Sequence, residues 1–170
     1  MNAKERRLAI LNELKGATEP VSATVLARKF HVSRQVVVGD VALLRASGEM
    51  VLSTPRGYLL GREETGFVRA VVCRHDAADM ERELNIMVDH GCTVLDVGVE
   101  HPIYGQLSGQ LTLSNRYDVA EFIRKVAGND AIPLSALTEG VHLHTLSCPD
   151  EAAFERVRNA LDAEGFLLPE

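Results

Sequence analysis

Between residues 3 and 48 the apolar side chains recur at helical spacing in three short runs, none long enough to be a stable helix on its own. Leu8, Ile10, Leu11 and Leu14 mark a first helix over roughly residues 3–16. Pro20 breaks the chain, and Ser22 is suited to cap a second helix that buries Val25, Leu26 and Phe30. His31-Val32 makes a turn. Ser33 then caps a third helix, in which Val37, Val41 and Leu44 share one face. Val32 and Val37 form a hydrophobic staple across its start, and Gly48 stops it. Three helices that each bury one stripe must pack on one another.

That stripe leaves Arg34, Gln35 and Val38 facing outward near the start of the third helix. Presenting N-terminal residues to base edges is how a helix-turn-helix reads the major groove; Arg pairs bidentately with guanine and Gln with adenine. Glu49 to Ser53 and Tyr58 to Leu60 read as two short strands around the tight turn Thr54-Pro55-Arg56-Gly57. Such a wing sets Arg56 against phosphate or the minor groove. Ser33, Arg34, Gln35 and Arg56 are therefore the candidate DNA-binding residues. The competing reading is a three-helix scaffold for protein contacts.

Charge separates the two readings. The 170 residues carry 18 Lys plus Arg and 24 Asp plus Glu, for a net charge of −6. Residues 1–62 hold ten of the basic and five of the acidic side chains, so they stand at +5, and residues 63–170 stand at −11. A basic module joined to an acidic one directs only the first toward a polyanion. The run from Pro20 to Val38, continued by Asp40 to Gly48 and Thr54 to Tyr58, resembles the winged helix-turn-helix of biotin-operon-type regulators. Gly39 departs from that pattern, since such sequences usually carry a polar side chain there. A helix-interior Gly costs about 1 kcal/mol relative to Ala, and its lack of a side chain can remove a DNA contact.

After a short charged linker at residues 61–65, the pattern changes. Phe67 to Cys73, Thr93 to Val99, Gln106 to Leu113 and Val141 to Leu146 read as strands. Asp76 to His90, about residues 115–127, and a segment started by Pro149 read as one-sided amphipathic helices, with Gly91 and Gly165 as stops. Residues 128–140 read as a loop. The order β-α-β-β-α-β-α favours an α+β domain, one sheet covered on one face, with the open face carrying the polar half of each strand. It resembles the open-faced sandwich of the phosphocarrier protein HPr.

Five of the six histidines follow residue 74. His142 and His144, two apart on a strand, point to one face, and paired imidazoles chelate zinc, nickel, copper or iron. By itself that spacing more often marks an exposed polar face. Glu83 adds weight, because it borders the apolar stripe of its helix, where a carboxylate is costly without compensation. His75, Glu83, His142 and His144 together make a set of three nitrogens and one oxygen suited to a divalent metal. His101, which shares strand parity with Leu95, Val97 and Val99, is either a satisfied turn histidine or a ligand-pocket donor beside Tyr104. Cys73 is either a soft alternative ligand or a small buried strand residue, the second being the commoner role.

His75 and Glu83, the turn His101-Pro102-Ile103-Tyr104-Gly105, and the run from Pro133 to His144 together resemble the 3H domain, named for its histidines. A winged helix (residues 1–62) followed by a 3H regulatory domain (residues 63–170) is similar to NiaR-type niacin-responsive repressors of NAD biosynthesis. The resemblance implies a homodimer that binds double-stranded operator DNA with nicotinic acid as co-repressor. It also implies a divalent metal, nickel or zinc, on His75, Glu83, His142 and His144, and an effector near His101 and Tyr104. The alternatives are a metal-sensing repressor without a niacin effector, a metallohydrolase-like domain, and a histidine-phosphorelay domain.

No apolar run is long enough for a membrane helix, and the first residues lack the core of a signal peptide. Cys73, Cys92 and Cys148 have no C-x-x-C spacing, so neither a disulfide framework nor an oxidising compartment is expected; a cytoplasmic protein is. A phosphate-cradling glycine loop and a nucleophile elbow are both absent, so no enzyme activity is expected.

Overall fold

The computed structural model describes residues 1–61 and 66–169, so most of the expected charged linker lies outside the described residues. The chain divides into two compact units, Met1–Glu63 and Glu64–Glu170.

In the first unit, helices α1 (Ala3–Gly16), α2 (Ala23–Lys29) and α3 (Arg34–Ala46) precede a hairpin of β1 (Val51–Thr54) and β2 (Gly57–Leu60). Each helix starts on a side-chain cap. Asn2 and Glu5 form a capping box on α1, Ser22 accepts the Val25 N–H, and Ser33 accepts the Val36 N–H. The core is Ile10, Leu11, Leu14, Leu26, Val37, Val41, Leu44 and Val51, with Phe30, Val32 and Tyr58 packed against it. Leu8 and Val25, expected in the stripes, are exposed instead. Ala23 and Ala27 take the inward positions of α2, because two small residues let this short helix approach its neighbours closely.

The wing joins this core by backbone pairing. Val21 and Tyr58 exchange both backbone hydrogen bonds at 2.8 Å. Gly57 is required there: its φ is +144°, and a Cβ would meet the Val21 carbonyl oxygen at 2.4 Å. Several cations of this unit are structural. Arg6 donates from Nε to buried Asp40 at 2.5 Å, Lys29 pairs with Glu13, and Arg45 ties α3 to the wing through the Val51 carbonyl at 2.7 Å.

The second unit has the expected order. β3 (Phe67–Arg74) leads through a 3-10 turn (Ala77–Asp79) into α4 (Met80–Asp89). β4 (Thr93–His101), β5 (Gly105–Leu113), α5 (Arg116–Ala127), β6 (Val141–Cys148) and α6 (Glu151–Ala163) follow. Asp150 caps α6, so Pro149 lies before the helix instead of opening it. The antiparallel sheet runs β3-β6-β4-β5. One core joins Val71, Cys73, Val94, Leu111, Leu113, Leu146 and Cys148 of the strands to Leu84, Met87, Val119, Phe154, Val157 and Leu161 of the helices, so the helices cover one sheet face.

Three details depart from expectation. The segment 128–140 contains a 3-10 turn, Leu134–Thr138, and enters β6 through two left-handed residues, Glu139 and Gly140. The ladders slip by one residue between Val94 and Asp96 against β5, and between Val94 and Gly98 against β6. The slip puts Val94 in the core, and Val97 packs there as well, although an unbroken strand would send them to opposite faces. Finally, Cys92 and Cys148 form a disulfide with a Cα separation of 4.3 Å, contrary to the expectation of free thiols. Thr93 pairs with Ser147 at that end of the sheet, which sets the flanking cysteines side by side.

Candidate functional site

The strand alternation of β6 sends His142, His144, Leu146 and Cys148 to the helix-covered face. The histidines are thus buried, and it is Val141 and Leu143 that take the open face expected to be polar. Register then gathers the other residues. Cys73 on β3 lies opposite His142, Val71 lies opposite His144, and His75 follows directly after β3. Glu83 reaches the same point from the first turn of α4, and its side chain is 1% exposed.

All three imidazoles converge on Glu83. His75 Nε2 lies 2.7 Å from Oε2, His142 Nε2 lies 2.9 Å from Oε1, and His144 Nε2 lies 3.4 Å from Oε2. The opposite nitrogen of each ring faces a backbone carbonyl. His75 Nδ1 donates to Asp76 O at 2.8 Å, His142 Nδ1 to Gly140 O at 2.8 Å, and His144 Nδ1 to Asp96 O at 2.7 Å. A carbonyl accepts only, so each Nδ1 carries its proton, and the neutral ring offers a bare lone pair at Nε2. Three lone pairs then face an acceptor-only carboxylate, an arrangement that needs positive charge between them. His75 Nε2 is buried and lacks a well-directed hydrogen bond.

Two sources can supply that charge. The first is protonation. Burial disfavours the charged forms of His75 and His144, but hydrogen bonding and attraction to Glu83 outweigh it and hold both above the ordinary imidazole value. Burial likewise opposes ionisation of Glu83, yet the charge of His144, hydrogen bonds from His142 and His144, and the close His75 imidazole hold its carboxyl well below the usual range. The second source is a cation. One ligand atom from each of His75, Glu83 and His142 lies within 4.8 Å of the others, a spread that fits one ion with modest adjustment. Carbonyls behind the rings are the second layer that orients metal-bound histidines. His144 touches Glu83 at the edge of this group. Three imidazoles and one carboxylate are the donor chemistry of a borderline divalent metal, so the residues present fit the ion.

The close approach of two backbones keeps the rings in place. A Cβ on Gly140 (φ +88°) would sit 2.5 Å from the His75 carbonyl oxygen. Cys73 packs beside Glu83; burial first, then the Glu83 charge and a hydrogen bond to it, push its thiol pKa up, so the group is an inert neutral neighbour in this state.

A 3H-domain family model matches residues 68–170 of the chain, and an HTH-domain model matches residues 6–59. A probable transcription repressor, NiaR, of Thermotoga maritima is 40% identical over 167 residues, covering 98% of this chain and 95% of the relative. The transcription repressor NadR of Bacillus subtilis is 39% identical over 167 residues, covering 96% and 93%.

The chain belongs to the NiaR/NadR family of transcription repressors.

Like its relatives, this NiaR/NadR-family protein is a DNA-binding transcription repressor and not an enzyme. Arg34 and Gln35 are exposed at the start of α3, and Ser33 combines its cap with an exposed position. Arg56 sits at the wing tip, where its N–H donates to Thr54 Oγ1 at 3.2 Å. His101 and Tyr104 belong to the turn between β4 and β5. His101 Nδ1 accepts the N–H groups of Ile103 and Tyr104 at 3.2 Å each and closes the β4–β5 turn. Its ring lies 5.0 Å from that of Tyr104, which is exposed. Gly140 and Asp96, whose carbonyls orient two of the rings, escaped sequence reasoning. Gly140, two residues before His142, carried a faint signal; Asp96 carried none. Among the described residues no helix is long and apolar enough to cross a membrane.

Proposed function

We propose that this repressor holds a divalent transition metal, nickel or zinc, in residues 63–170 and acts on operator DNA as a homodimer with nicotinic acid as co-repressor. One observation carries the reading: three Nε2 atoms, each fixed by a carbonyl behind its ring, converge on the Glu83 carboxylate. His75, Glu83, His142 and His144 would hold the ion. When bound, the ion supplies a Lewis-acidic centre for the ring nitrogen or carboxylate of a small aromatic acid. Nicotinic acid itself rests on the likeness of the histidine motif to niacin-responsive repressors.

The chain's own residues do the rest. Asp76, Gly140 and Asp96 hold the rings in the tautomer that offers Nε2. Tyr104, exposed at the β4–β5 turn, and His101 beneath it are the proposed effector contacts, with Tyr104 offering an aromatic face for stacking. Ser33, Arg34 and Gln35 read DNA from the start of α3, and Arg56 contacts the backbone from the wing. Nicotinate must bind the DNA-competent arrangement better than its alternative, or nothing shifts.

A histidine-phosphorelay role fits poorly, because the His75 side chain is 4% exposed and both its ring nitrogens face protein atoms. The test is metal analysis of the purified full-length protein together with shifts of its own promoter DNA, with and without metal and nicotinate. One metal per chain and nicotinate-dependent binding support the reading. Metal-dependent binding that ignores nicotinate replaces it with a metal sensor, and tight binding by the metal-free protein without nicotinate overturns it.

A further inference from the structure

The exposed face of α3 has a composition that its own fold does not explain. Val37, Asp40, Val41 and Leu44 are buried. On the opposite ridge Gln35, Gly39, Ala42 and Ala46 follow one another at offsets of four, three and four, which keeps them in one line along the helix. All four are exposed. Gln35 is the only long side chain on that line. Val38 flanks it at 40% exposure.

Gly39 is the informative position. The structural uses of a glycine are a positive φ, close approach inside the fold, and close approach of something outside it. Gly39 sits mid-helix with no positive φ, and a Cβ built there meets nothing within 4 Å. The first two reasons are therefore removed. The third remains, and the chain binds DNA through this module.

We propose that Gly39 is the clearance position of the DNA-reading face: its missing side chain brings the α3 backbone close to the groove floor, so that Val38 packs on a thymine methyl while Gln35 pairs with adenine. This rests on the reading that α3 enters the major groove. Gln reads adenine through N6 and N7, and an aliphatic side chain reads thymine through its methyl group, so the pair selects adenine–thymine steps. A larger residue at 39 holds the helix off and weakens both contacts.

The probe is duplex DNA enriched from a random-sequence library by full-length wild-type protein, with nickel, zinc and nicotinate all supplied. The duplex is then resynthesised with deoxyuridine at each thymidine in turn, which removes one methyl group at a time. Gly39→Ala is expected to raise the melting temperature, since Ala is the better helix former, and yet to weaken DNA binding at least about fivefold. At one or more positions deoxyuridine is expected to weaken wild-type binding by about the same factor, and that sensitivity disappears in Val38→Ala. Gly39→Ala that binds as tightly as wild type, or deoxyuridine sensitivity that survives in Val38→Ala, overturns the proposal while leaving the groove reading intact. Arg34→Ala and Gln35→Ala variants that both bind at wild-type strength, or a wild type that enriches no sequence, overturn the groove reading and the proposal together.

Discussion

His142 and Glu83 meet at 2.9 Å through Nε2 and Oε1, and the imidazole that makes this contact already donates its Nδ1 proton to the Gly140 carbonyl at 2.8 Å. A neutral His142 therefore presents a lone pair to an anion. His75 and His144 repeat the relationship from two other directions. A carboxylate buried among three such rings is stable only with added positive charge, and this requirement generates most of the behaviour expected of the domain.

Replacing the carboxylate tests the donor set. Glu83→Gln keeps the shape and removes the charge, so affinity for nickel or zinc should fall by more than about 100-fold, beyond the usual effect of altering an outer partner. Competition with a chromophoric chelator measures it. Unchanged affinity would remove Glu83 from the site.

The metal-free domain should respond to pH in a definite direction. His75 and His144 are held above their ordinary value of 6.5, so their contribution is complete below that value and lost as pH rises through the folded-state value. Glu83 is held well below 4.5, so its contribution is present above 4.5 and lost only in stronger acid. Stability without metal should peak near pH 5 to 6 and decline toward about pH 8. Metal binds the deprotonated rings, so the gain from metal should grow over the same interval. Thermal melts with chelator and with metal at the two ends check both signs. A metal-free protein that becomes more stable toward pH 8 would contradict the account.

Gly140→Ala should damage the site without touching a donor. The new methyl group would meet the His75 carbonyl at 2.5 Å on a left-handed backbone. A loss of at least about 1–3 kcal/mol in denaturant stability follows, with about tenfold weaker metal binding. A neutral substitution would mean that this backbone crossing does not hold the rings.

Reducing the Cys92–Cys148 bond, or replacing both cysteines with serine, should cost about 2–4 kcal/mol, because the bridge closes a long loop from the residue before β4 to the end of β6. Urea unfolding with and without reductant measures it. Identical midpoints would show that the bridge contributes nothing to stability.

Much of this was legible because each helix carries its own stripe and cap. Ser22 and Ser33 mark helix starts in a single sequence, and the β-α-β-β-α-β-α order follows from the change of hydrophobic period. The spacing of His142 and His144 puts them on one face, and Glu83 stands out as a carboxylate on an apolar stripe. Other features depend on tertiary register. Nothing local says that the histidine face of β6 is the buried one; that follows from Leu146 and Cys148 continuing it into the core. The one-residue slip near Val94 and Asp96 inverts parity along β4, which misleads any face assignment for His101 and delivers the Asp96 carbonyl to His144. The cysteine bridge joins residues that only the β4–β6 pairing makes neighbours.

The most direct measurement is the metal content of full-length protein after incubation with excess nickel or zinc and removal of free ions, by mass spectrometry of the native chain. The account predicts one ion per chain for the wild type and none for the His75→Ala, His142→Ala double variant. A wild type that retains no ion, or a double variant that retains a full equivalent, would contradict it.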